Sequence, residues 1–155
     1  MASDRAIFKA QEAGRAATSG ATDPIGITGT VHEETFVFSN DAGSPLAEVG
    51  ITMVKACKVK SVRALPAATL ATAAANYVTG TVAKRDGAGG SATTIASFTT
   101  NSSGGAQLTA FTPTTCAVTA SAAEIAAGGV LTYALVDNAT TTEVAVFVSV
   151  TVEYV

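Results

Sequence analysis

The stretch "TEVAVFVSVTVEYV", residues 142–155, alternates with a period of two. Valines occupy positions 144, 146, 148, 150 and 152 and Tyr154 keeps their parity, while Ala145, Phe147, Ser149, Thr151 and Glu153 take the other. Period two is the signature of a β-strand, because successive side chains point to opposite faces of a sheet. Valine fills one face throughout, and the other is apolar at Ala145 and Phe147. A strand covered on both sides lies in the middle of a sandwich or at a subunit contact. It is also longer than the usual five or six residues or so. On this reading Val148 belongs to the core, and Phe147 and Tyr154 are candidates for a subunit interface.

Outward from that strand, the chain repeats the same type of signal. "VLTYALV" (130–136) sets Leu131, Tyr133 and Leu135 on one face, and "TASAAEIAAGG" before it reads as a cap and short helical turn stopped by glycines. "DNATTT" is expected to join this strand to the terminal one as an antiparallel hairpin. "YVTGTVAKRD" and "SATTIASFTT" form a second hairpin across "DGAGG", where glycine supplies the positive φ of a tight turn. "NSSGG" is a polar connector into "AQLTAFTP". Near the start, "ETFVFS" is a short strand ended by the turn cluster "NDAGSP". "EVGITMVKACKVKSVRAL" supplies one long strand or two, with Gly50 as a kink. "AATLATAAAN" fits either a helical turn or a loop. Short strands punctuated by turn signals at this spacing predict an all-β fold, an antiparallel β-sandwich.

Residues 1–30 differ from the predicted domain, 31–155. Gly14, Gly20, Asp23, Pro24, Gly26 and Gly29 are set among small polar residues, with too few large apolar groups to bury a core. "RAIFKAQEAGRAA" could form a short helix ending at Gly14. The stretch reads as an extended N-terminal arm; a terminus without a role is the alternative.

The chain has 155 residues, enough for one domain with a core and too few for two. Hydrophobic residues make up 48%, charged residues 14% and aromatics 6%, with no Trp. Average domains carry roughly a quarter of their residues as charges, so much of this surface is neutral and suited to being covered by partners. A net charge of −3 argues against nucleic acid or an anionic membrane as the main partner. The local basic run Lys55, Lys58, Lys60 and Arg63 reads as a solvent-facing strand face or charged edge, with an acidic protein surface as the alternative. No stretch approaches the roughly 20 apolar residues of a membrane span, and the first residues lack the apolar core of a secretory signal.

Catalytic constellations are not proposed by the spacing. His32 stands in "TVHEETF", where strand alternation sends it and Glu33 to opposite faces, so a solvated or interfacial histidine is expected rather than a metal ligand. Cys57 and Cys116 are too few for a disulfide framework or zinc site and read as small buried hydrophobes in a reducing compartment. "DGAGGSATT" lacks the Lys-Ser/Thr pair and following helix of a phosphate loop. The carboxylates are dispersed; Asp137 and Asn138 suit an Asx-type turn, and "NSS" and "NAT" suit polar turns. The reading is a protein without enzymatic activity, metal or cofactor.

The order "KACKVKSVRALP", "NYVTGTVAKRDGAGGSATTIASFTTN", "GGAQLTAFTP", "EIAAGGVLTYALV" and "VSVTVEYV" resembles the small decoration (cement) and head-fibre-base proteins of tailed bacteriophages, over residues 52–155. The resemblance implies a β-sandwich or jelly-roll-like domain, usually a homotrimer, on the outer capsid surface of the virion, made in the host cytoplasm. It implies the major capsid protein as partner, met at capsomer junctions of the expanded shell, with no nucleic acid or membrane partner. Ile7, Phe8, Ile25 and Ile27 would then be the capsid-binding groups of the arm. A host- or carbohydrate-binding β-sandwich module, or a head-fibre base, is the alternative.

Overall fold

The computed structural model describes residues 32–40, 46–138 and 144–155. Among the described residues of Glu33–Val155, a single unit, nine strands follow in order: β1 (Glu33–Ser39), β2 (Leu46–Thr52), β3 (Cys57–Pro66), β4 (Tyr77–Arg85), β5 (Thr93–Thr99), β6 (Thr114–Cys116), β7 (Glu124–Ile125), β8 (Val130–Asn138) and β9 (Val146–Tyr154). One 3₁₀ turn, Ala120–Ala122, precedes β7. The strands form two antiparallel sheets packed face to face. The first has the order β1-β9-β3-β6, with the two-residue β7 also on β3; the second has the order β2-β8-β4-β5. Leaving β7 aside, this is the strand order of an eight-stranded double-sheet jelly roll.

The core explains why β9 is written as it is. Val146, Val148, Val150 and Val152 are completely buried between the sheets, and β9 lies between β1 and β3. Facing them from the second sheet are Leu131, Tyr133 and Leu135 of β8 with Val78 and Val82 of β4 and Ile95 of β5. Gly80 belongs to the same inward face: the Phe98 ring of β5 lies directly over it, where a Cβ would fall 2.2 Å from the ring carbons. The start of β9 is pinned by buried Asn40, whose Oδ1 accepts from the Val146 N–H at 2.7 Å while its Nδ2 donates to the Val144 carbonyl.

The β4–β5 hairpin forms as its sequence indicates. Gly89 takes φ +77°, and Asp86 Oδ1 accepts from the N–H groups of Ala88 and Gly90. Three expectations change. The hairpin between "VLTYALV" and the terminal strand is not formed, because β8 pairs with β2 and β4 in one sheet and β9 with β1 and β3 in the other. The jelly roll sends the chain across the sandwich at that connection, and local alternation cannot distinguish a crossing from a hairpin. The segment 48–65 is two strands, broken at Met53–Ala56 rather than at Gly50. Gly50 stays inside β2, where a Cβ would lie 2.7 Å from Val130 Cγ1. Finally, Thr119 precedes the 3₁₀ turn without a side-chain cap; its N–H bonds to the Ile95 carbonyl.

Candidate docking surfaces

Pairing across the first sheet assigns its outer face row by row. Ser39, Phe147 and Leu65 form one row, Val37, Ser149, Arg63 and Thr115 the next, then Thr35, Thr151 and Ser61. Glu33, Glu153 and Lys58 follow. A register shift between Val59 and Ser61 marks a bulge at Lys60. It lets Lys60 and Ser61 both face outward while Val59 and Val62 both stay buried. Lys58, Lys60 and Arg63 of the basic run therefore lie on a solvent-facing strand face, with Lys55 exposed in the connector before β3, and two of these cations have acidic partners. Lys60 pairs with Glu153 at 2.7 Å and Lys58 with Glu124 at 3.9 Å. The Lys60 ammonium is held above its usual range by Glu153.

Farther along that face Arg63 is the last charge, in the row beside that of Phe147. Phe147 is 40% exposed and Val37, its diagonal neighbour on β1, 63% exposed, with half-buried Leu65 on the other flank. Among the described residues no further sheet covers the outer face of β9. Tyr154 lies on the opposite side of β9: its ring packs against the core and its hydroxyl donates to Glu34 Oε2. Phe147 and Tyr154 consequently do not share one surface. Ile7, Phe8, Ile25 and Ile27 lie outside the described residues.

The outer face of the second sheet is short-chained. Thr79, Val136 and Thr99 make one row, and Thr81, Ala134 and Ser97 the next, with Thr79 Oγ1 donating to Thr99 Oγ1. At its charged end Arg85 grips Glu48 through two parallel hydrogen bonds and donates a third to the Gly90 carbonyl. The guanidinium holds the Glu48 carboxyl below its usual range. A shallow cleft of about 350 Å³ lies beside this pair, lined by Lys84, Asp86, Ser91 and Glu124 among others. Its cations are already engaged, Lys84 Nζ donating to the Glu124 carbonyl at 2.6 Å.

The loops 67–76 and 100–113 close the other end of the sandwich. Leu70 and Leu108 exchange backbone hydrogen bonds, and Ala73 bonds to Thr100 and Ser102. The segment 67–76 is thus a loop with isolated bridges rather than a helical turn. Asn101 Oδ1 accepts from Ser103 N–H, the polar turn its sequence indicates. Neither loop contains a charged residue. At their rim Phe111 is 74% exposed with φ +52°. Thr112 N–H bonds to the Thr109 carbonyl, which puts Phe111 at the third position of a type II-like turn, a place for glycine or asparagine. A left-handed conformation costs a residue with a Cβ about 1–2 kcal/mol. Clamps hold it there: Phe111 N–H to the Pro66 carbonyl, and Ala110 N–H to Thr69 Oγ1. Sequence reading passes over Phe111 because nothing in "TAFTP" marks a phenylalanine at positive φ.

No protein-family model and no curated protein matches this chain. Among the described residues no group of three or more His, Cys, Asp or Glu is arranged to hold a metal, and no helix is long and apolar enough to cross a membrane. Cys57 and Cys116 are free and buried, with burial pushing both thiols up. They are well separated along β3, since Cys116 lies opposite Val62.

Proposed function

We propose that this chain is a structural virion protein: a non-enzymatic capsid decoration (cement) protein that binds the outer surface of the expanded shell as a homotrimer at capsomer junctions. The observation that carries the reading is the jelly-roll strand order itself. It is an architecture used by viral capsid and lectin domains, and here it is built from the segments that resemble phage decoration proteins. The uncharged rows Thr79, Val136, Thr99 and Thr81, Ala134, Ser97 on the outer face of the second sheet support the same reading, because interface cores are depleted of charge. A trimer offers three equivalent contacts to a junction, so the first contact raises the effective concentration of the others. Binding the assembled lattice in preference to free subunits stabilises the shell by linkage. The major capsid protein is the partner, and Ile7, Phe8, Ile25 and Ile27 are its arm contacts in this proposal.

Co-sedimentation with expanded, undecorated phage shells tests the reading, using the full chain and a chain lacking residues 1–30, with the solution mass measured alongside. Saturable binding by a trimer, lost with the arm, is expected. A protein that ignores the shell but binds in a glycan screen would replace this reading with a host- or carbohydrate-binding module.

A further inference from the structure

The charges of the described domain are unevenly placed. Most of them, among them Lys58, Lys60, Lys84, Arg85, Glu124 and Glu153, lie toward the end where β2 meets β3 and β4 meets β5, whereas Arg63 of β3 and Asp137 of β8 lie nearer the other end, opposite Ser149 and Val78. At the other end the loops 67–76 and 100–113 contain no charged residue, and they carry the most exposed aromatic of the described residues. Phe111 combines two unfavourable features there: an apolar ring in solvent and a backbone conformation that its side chain disfavours. Strain maintained by surrounding hydrogen bonds is characteristic of binding positions, and buried aromatic anchors dominate interface energetics. Glycine at the same place would relieve the strain, so neither turn geometry nor the core calls for a ring.

We propose that Phe111 is a docking anchor, inserted from the uncharged loops 67–76 and 100–113 into an apolar pocket of the shell protein. This rests on the decoration reading and adds a residue and a partner chemistry to it. The loops around the ring bring no charge to the contact, and a lone protruding ring fits a pocket rather than a flat face. The full chain and its Phe111→Gly and Phe111→Asn variants are compared for binding to expanded shells, for thermal midpoint and for solution mass. Both replacements tolerate positive φ. The expected result is a thermal midpoint equal to or above that of the wild type, an unchanged mass, and affinity for shells reduced about thirtyfold or more. Unchanged shell affinity would overturn the anchor while leaving the decoration reading intact. A lower midpoint would make the ring structural, and a smaller mass would assign it to contact between copies; either result overturns the proposal. Failure of the wild type to bind shells removes both readings together.

Discussion

Tyr133 is the one described side chain whose buried polar atom lacks a hydrogen-bond partner. Burial lifts its hydroxyl far above the ordinary tyrosine range, with nearby Cys116 adding to the effect. The ring, 6.0 Å from that of Phe38, supplies the packing. Stranding a hydroxyl costs about 1–3 kcal/mol, so Tyr133→Phe should be neutral or stabilising. A clear fall in its thermal midpoint would show that the oxygen has a partner. Cys57 and Cys116 should resist a thiol reagent in the native protein and react in full once it is denatured. Rapid native labelling of either would contradict their burial.

Elements show most plainly what the sequence disclosed. The valine parity of β9 identified both the strand and its buried face, because period two is a purely local property. The β4–β5 hairpin was legible for the same reason, with glycine marking its turn. The partners of β8 and β9 were not legible, since a jelly roll pairs strands distant in sequence and the choice is made by packing. In β3, the apolar positions shift from 57 and 59 to 62 and 64, which is the imprint of the Lys60 bulge. Of the candidate site, the outward Phe147 was readable from parity; the exposed Phe111 was not, since its φ depends on clamps from Pro66 and Thr69. Two substitutions separate the faces of β9. Val148→Asp should abolish folding, because a charge would enter the closed core. Phe147→Asp should leave a folded protein of lower solution mass, as its side chain faces outward. An intact trimer in both would contradict the assignment. The Glu48–Arg85 pair spans β8 to tie edge strand β2 to β4. Because the folded carboxyl is lowered from 4.5, its contribution is present above the unfolded value and fades as pH falls through the folded one. Glu48→Gln should therefore lower the thermal midpoint at neutral pH and converge with wild type in acid. A gap undiminished at about pH 2 would contradict this.

At the scale of the molecule, the jelly roll presents uncharged rows of short side chains on the outer face of its second sheet and gathers most of the described charges toward one end, while the loops 67–76 and 100–113 at the other contain none. Such a surface is stable in water yet retains little charge to be desolvated when it is covered, which suits attachment to a large protein lattice. The most direct measurement is the thermal disassembly of expanded shells titrated with the full-length protein. A disassembly temperature that rises and saturates, at a bound copy number of three per occupied junction, is the expected result. Shells that disassemble at the same temperature with and without saturating protein would contradict the proposed function.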